Sequence, residues 1–380
     1  MPVHVQKSDE TAAPCRKNSK RHHVAAVLSG LFFLLLGGLI NMPAAVNAAE
    51  GEPAPVQPAK GIPIEFEPAI KPARISPAVD SAIEHFWERE LGGSLGSALE
   101  GEFYDLKMKR SGAPSGLNPS KPNGVIAALA KFFQSGWNEA YLNRFYRSEY
   151  RPYASYWYLP VASAKYGPIA FEVGTHTKPE SVWECRPAAW LAVYRGTVVA
   201  PKSGKFRFIG TGDDVLAVRF NHETVLEAGY YAPTAYDKEN PEACHLALPA
   251  HREAFLNARK GYEMIRSVTG CDKWNRELGG LVAGAEFSVK EGEEYPIEIA
   301  IAEISGASVG FVLFIEDVTE GKNSHAPQYD LFRTCDANPA PAEVFEAIRE
   351  AGCAEQAEAI PFNADSWVWE SVRYESEGWE

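Results

Sequence analysis

The sequence predicts a mainly β protein, an antiparallel β-sandwich or barrel with short flanking helices. Three observations point there. From about Tyr150 the chain breaks into short runs rich in aromatics and punctuated by Gly and Pro. Four of these runs alternate with period two: Lys205–Phe208; Leu216, Val218 and Phe220 against Ala217 and Arg219; Tyr295, Ile297, Ile299 and Ile301; and Val309, Phe311, Leu313 and Ile315. Such alternation sends one face into a core and the other toward solvent, the habit of antiparallel sheets. Helical spacing, in contrast, is confined to short stretches outside these runs.

Taken in order, the chain opens on Arg16, Lys17, Lys20 and Arg21, then the apolar run Val24–Ile40, then Ala45-Val46-Asn47-Ala48-Ala49. A basic flank, an apolar segment and small residues at a cleavage position form the layout of an export signal over residues 1–48. The run is long for a signal core and short for a membrane span, so both a signal cleaved after Ala48 and an uncleaved anchor at residues 24–40 remain open. Either one places the rest of the chain outside the cytoplasm, in the periplasm, on the cell surface or secreted. Any membrane contact is expected only through this segment.

Residues 49–80 carry prolines from Pro53 to Pro77 and few large apolar side chains, which predicts an extended linker. A helical N-terminal segment is expected over 81–150. It has Ser81–Leu91 on helical spacing until Gly92-Gly93, a second stretch at Val125–Phe133 and a third at Asn138–Tyr146. The sandwich is expected over 151–318. Within it a polar stretch at about 232–285, helical at His251–Tyr262, is expected as a projecting insertion. Residues 319–380 read as a tail with one helix, Pro341–Ala351, stopped by Gly352.

Charge narrows the partners. The chain has 37 Lys and Arg against 50 Asp and Glu, a net −13, and removal of the export segment leaves 32 against 48. Nucleic acid and anionic membrane surfaces are therefore poor partners. Five cysteines lie beyond the export segment. Cys185, Cys244, Cys271, Cys335 and Cys353 allow Cys244 with Cys271 and Cys335 with Cys353 as candidate disulfides in an oxidising compartment; the odd count leaves one thiol over, and the connectivity stays open.

The most informative segment runs Trp190-Leu-Ala-Val-Tyr-Arg-Gly196, then Ala200-Pro201-Lys202-Ser203-Gly204-Lys205-Phe206-Arg207-Phe208, then Gly212-Asp213-Asp214-Val215-Leu216. With its aromatic-x-Gly strand, Pro-x-Ser-Gly turn, aromatic-x-Phe strand and Asp-Asp pair, it resembles the protective-antigen-fourteen (PA-fourteen) domain family, named for a fragment of anthrax protective antigen. The closing strands from Gly292-Glu293-Glu294-Tyr295 to Phe311-Val312-Leu313 are similar to the family's end. The resemblance covers about Tyr153–Val318, with 232–285 unmatched. Phe103-Tyr104-Asp105-Leu106-Lys107, ahead of it, resembles a feature recurring in exported bacterial proteins with this domain.

The resemblance implies a β-sandwich that binds carbohydrate. In the family's sugar-binding adhesins the Asp-Asp pair holds a calcium ion that coordinates sugar hydroxyls, which carries over to Asp213 and Asp214. Calcium takes several hard oxygen ligands, and adjacent carboxylates converge only if the backbone between them bends sharply, as a cis peptide would make it. A tight polar turn explains the same residues without a metal. Further ligands are expected from loops, with Asn221 and Asn275 as candidates. Sugars stack on flat apolar faces, and Tyr230, Tyr231, Tyr236 and Trp274 gather in or beside the insertion, where core packing is the competing reading.

No catalytic motif survives. Gly306-Ala307-Ser308-Val309-Gly310 fits the Gly-x-Ser-x-Gly pattern, yet the residues after Ser308 alternate as a strand, where a nucleophile elbow needs a helix. Gly210-Thr211-Gly212 lacks the third glycine of a dinucleotide loop. Cys244, His245 and His251 match no zinc spacing. The expected function is an exported cell-envelope module that binds a glycan or another cell-surface component. The alternatives are a non-binding envelope scaffold and, with too few flanking residues for a catalytic barrel, an accessory domain of a glycoside hydrolase.

Overall fold

The computed structural model describes residues 98–148, 151–163, 187–266, 281–305, 308–320, 329–334, 362–363 and 368–372. The export segment, the linker, the helices expected at 81–91 and 341–351, Trp274 and Asn275 lie outside the described residues. No helix among the described residues is long and apolar enough to cross a membrane.

Two eight-stranded sheets face one another. The first runs β2 (Phe145–Arg147), β1 (Leu99–Lys109), β5 (Trp190–Val199), β12 (Glu294–Glu303), β7 (Val215–Phe220) and β8 (Glu223–Gly229). In addition β3 (Tyr153–Ala154) pairs with β1, and β16 (Ser371–Val372) with β5. The second runs β15 (Phe362–Asn363), β14 (Tyr329–Leu331), β13 (Ser308–Asp317), β6 (Gly204–Asp213), β10 (Leu281–Ala283) and β9 (Glu263–Arg266). Here β11 (Phe287–Val289) pairs with β6, and β4 (Tyr158–Ser163) with β13. The pairings are antiparallel except β14 with β15.

The alternation read from sequence sorts the core as expected. Leu216, Val218 and Phe220, Ile297, Ile299 and Ile301, and Val309, Phe311, Leu313 and Ile315 all meet between the sheets, with Trp157, Trp190, Phe206 and Phe208. The first sheet is apolar on its other face too. Leu191, Val193, Ala217, Ala300 and Ala302 lie there under helix α1 (Pro122–Gln134), which seats Val125, Leu129, Phe132 and Phe133 on them. Burial on both faces explains why β5 reads as a continuous apolar run from Trp190 to Tyr194. α1 starts on a proline at its first turn and ends at Ser135 before Gly136, whose φ is 74°.

Several boundaries differ from the sequence reading. The sandwich begins at Leu99, since Phe103–Lys107 lies in β1 between β2 and β5. Leu99 and Phe103 face the second sheet while Tyr104 and Leu106 face α1, so two-sided burial hides the alternation. Asn138–Tyr146 forms a single 3-10 turn, Glu139–Tyr141, and then enters β2. The Asn138 side chain caps that turn, and Phe145 is drawn into pairing with β1. Residues 232–285 carry helix α2 (Pro249–Ala258), but β9 and β10 return the chain to the second sheet beside β6. Cys244 is a buried free thiol, and Cys271, its candidate disulfide partner, lies outside the described residues, as do Cys185, Cys335 and Cys353. The Cys244 Sγ donates to the Pro241 carbonyl at 3.1 Å.

Candidate functional site

The chain crosses from the second sheet to the first within one residue. Asp213 closes β6 opposite Gly310, and Val215 opens β7 between Ala302 and Gly229. Between them Asp214 is held from every side, and the Asp213–Asp214 peptide is cis. Its N–H donates to Ala302 O at 3.0 Å, and its carbonyl accepts from Tyr230 N at 2.9 Å and Tyr231 N at 3.1 Å. Its Oδ2 accepts from Ile304 N at 2.8 Å and Ser305 N at 3.3 Å. Gly229 makes the close approach workable. Its φ is +110°, and a Cβ there would press into the carbonyl oxygens of Gly212 and Asp214.

A third carboxylate completes the group. Glu303 ends β12 opposite Trp190, on the inner face it shares with Ile299 and Ile301, and is 1% exposed. One carboxylate oxygen from each of Asp213, Asp214 and Glu303 lies within 4.8 Å of the other two. Asp214 and Glu303 are buried while Asp213 is partly open, so the cluster has a floor and a rim. Two oxygens bound to one calcium at roughly 2.4 Å can be at most about 4.8 Å apart, so the spacing fits that ion. The donors are all hard oxygens, and Asp214 keeps Oδ1 clear of the two amide bonds that occupy Oδ2.

Aromatic residues border the cluster. Tyr231 stacks on His245, with ring centroids 4.8 Å apart and planes 12° apart. This pairing zips two chain segments: Ala232 N donates to Cys244 O at 2.9 Å and Leu246 N to Tyr230 O at 2.6 Å. Burial, then the nearby carboxylates, Asp214 foremost, push the Tyr231 hydroxyl well above its ordinary range, so it stays a neutral donor. Burial lowers His245, against the opposing pull of Glu242 and Asp214. Burial likewise pushes the Cys244 thiol up to about 11, which leaves it unreactive.

No family model matches the chain, and no curated protein does. Solved structures similar to it include a PA14 sugar-binding domain from an RTX adhesin, at 12% identity and a TM-score of 0.30, covering 62% of this chain and 94% of that one. The PA14 domain of the MpAFP antifreeze protein has 12% identity and a TM-score of 0.30, covering 63% and 90%. The epithelial adhesin 6 A domain of Candida glabrata, solved with Galβ1-3GlcNAc, has 14% identity and a TM-score of 0.26, covering 62% and 85%. At these identities and scores the likenesses carry none of the argument.

Of the residues singled out from sequence, Asp213 and Asp214 share the cluster, and Tyr230 and Tyr231 donate their amides to the backbone carbonyl of Asp214. Tyr236 lies elsewhere. It comes directly after the 3-10 turn Pro233–Ala235, its carbonyl accepts from Gln134 Nε2 of α1 at 2.8 Å, and it packs with the helix layer. Asn221 sits in the β7–β8 hairpin at the far end of β7 from Asp214, roughly 20 Å away at about 3.3 Å per residue, too far to ligate. Sequence reasoning misses Glu303. A charged residue closing the apolar run Ile299–Ala302 is the signal that could have marked it.

Proposed function

We propose that this chain is an exported, cell-envelope glycan-binding module whose carbohydrate site is organised by calcium on Asp213, Asp214 and Glu303. The observation that carries the proposal is the convergence of three carboxylates at the sheet crossing, with one of them at an open rim. In this reading Asp214 and Glu303 form the rigid floor, because Asp214 is fixed by five backbone groups and Glu303 by its place at the end of a central strand. Asp213 is the residue a ligand meets first. Calcium, when bound, supplies a hard centre on which sugar hydroxyls can replace water. Tyr230 and Tyr231 stand beside it to give an approaching sugar an apolar edge and hydroxyl donors. Export belongs to the same reading and is supported by the basic flank and apolar run before residue 49.

A structural reading has one observation of its own. The Asp214 carboxylate already accepts two amide bonds, which is work enough for a residue that merely closes a turn. The two readings part in a glycan panel probed with the full chain, with calcium and with a chelator. A calcium-dependent sugar signal that disappears in Asp213→Asn supports the binding module. Silence across the panel under both conditions leaves the scaffold.

A further inference from the structure

Helix α2 buries a charge that the other described residues leave unanswered. Its inward stripe is Arg252, Phe255 and the half-buried Leu256, the spacing of a helix seated on a core, with a guanidinium where an apolar residue would be expected. Arg252 is 6% exposed, and both Nε and Nη2 are enclosed with no hydrogen-bond partner among the described residues. The neighbouring His251 has its Nδ1 in the same state. Burial lowers the affinity of Arg252 for its proton, and no nearby acid counteracts it.

Comparably buried cations in this chain are treated otherwise. Lys107 binds Asp105 Oδ1 at 2.8 Å and Ala188 O at 2.6 Å. Arg207 is gripped by Glu316 and Glu263, each at 2.5 Å. An uncompensated buried charge is strongly destabilising, and a guanidinium cannot escape by losing its proton. Its planar fork matches two oxygens of one oxyanion.

Position says which anion. α2 packs against the 3-10 turn Pro241–Cys244, which leads into the Tyr231–His245 stack. His245 lies within electrostatic reach of both His251 and Asp214. The guanidinium and the three-carboxylate cluster thus flank the same tyrosine-bearing segment.

We infer that Arg252 is an anion-binding residue that takes the carboxylate or sulfate group of an acidic saccharide. The saccharide assignment rests on the glycan reading above, whereas the anion site does not.

The test is thermal unfolding of the full chain in sodium glucuronate, glucose, sodium sulfate and sodium chloride at matched ionic strength, beside Arg252→Met and Asp213→Asn. Glucuronate and sulfate should raise Tm by on the order of 5 °C at a hundredfold excess over Kd, and glucose should not. Arg252→Met should lose that rise yet melt no lower than wild type in chloride, because methionine fills the space without the charge. Asp213→Asn should keep the rise even though the glycan reading has it losing calcium. An equal rise in wild type and Arg252→Met, or none in either, overturns the anion site. So does an Arg252→Met chain that melts well below wild type in chloride, since the protein itself would then be holding the guanidinium. A response to sulfate without one to glucuronate overturns the saccharide assignment.

Discussion

At the scale of single residues, Asp214 does two jobs that substitution can separate. As a carboxylate it adds charge to the cluster, and as an acceptor it satisfies the buried Ile304 N–H and its neighbour Ser305. Asp214→Asn keeps an acceptor oxygen and drops the charge, whereas Asp214→Ala leaves the buried Ile304 amide orphaned at about 1–3 kcal/mol, Ser305 being exposed. Urea denaturation should therefore find the alanine variant less stable than the asparagine variant by about that amount, with both weakened in calcium binding. Equal stability would mean the side chain is not holding Ile304. The aspartates were legible only through the Asp-Asp pair that the sequence shares with the family it resembles, since on their own they read equally well as a tight polar turn. Glu303 was not, because a carboxylate after Ile299–Ala302 reads as the polar residue that ends a strand, even though period two sets it on the inward face with Ile299 and Ile301. Only the sheet crossing turns that end into the floor of a site.

Among elements, the outer face of the first sheet beyond α1 is crossed by a ladder of alternating charge. Arg195 of β5 bonds Glu298 of β12 at 2.9 Å and Glu102 of β1 at 3.2 Å, and Arg219 of β7 bonds Glu298 at 2.7 Å. Arg151 reaches Glu102 at 2.6 Å. Burial acts to raise the Glu102 pKa, but bonds from Tyr104 and Arg151 and the charges of Arg151 and Arg195 outweigh it, and the carboxyl ends below its ordinary value. A depressed folded pKa gives stability that is fully present above the unfolded value near 4.5 and is lost as pH falls through the folded one. The Tm gap between wild type and Glu102→Gln should accordingly be open at pH 6 and shrink on acidification below about pH 4.5. A gap that stays constant with pH would show that the ladder contributes packing rather than charge. The ladder was half legible, since Glu298 and Arg219 take the outward, polar positions of alternating strands. β1 was not, because a strand buried on both faces loses period two. Asn138–Tyr146 misled in the opposite way: Tyr141, Leu142 and Phe145 fit helical spacing, but a capped turn leading into a strand places them equally well.

Across the whole molecule, the sandwich is closed by residues far apart in sequence. Trp369, fully buried, enters the core edge-on to Phe206 with centroids 5.2 Å apart and also meets Phe220 and Phe332. Around it Val199 N donates to Glu370 O at 2.8 Å, Trp369 N donates to Arg333 O at 3.0 Å, and β16 adds to β5. This segment therefore ties to the first sheet and to the strand β14 side of the second. Trp369→Ala should lower stability by about 3–5 kcal/mol in urea unfolding, as a large core aromatic does when removed. A loss below about 1 kcal/mol would make the segment an ornament of the fold. The two-sheet class was legible from four alternating runs. The closure was not, because Trp367-Val368-Trp369 is too short an apolar run in a polar tail to establish a period.

Calorimetric titration of calcium into the full chain, Asp213→Asn and Glu303→Gln is the measurement to make first. A single-site isotherm with Kd roughly 10⁻⁴–10⁻³ M, lost in both variants, is the predicted result. Absence of binding in the wild-type chain, or binding that Glu303→Gln leaves unchanged, would contradict the three-carboxylate site.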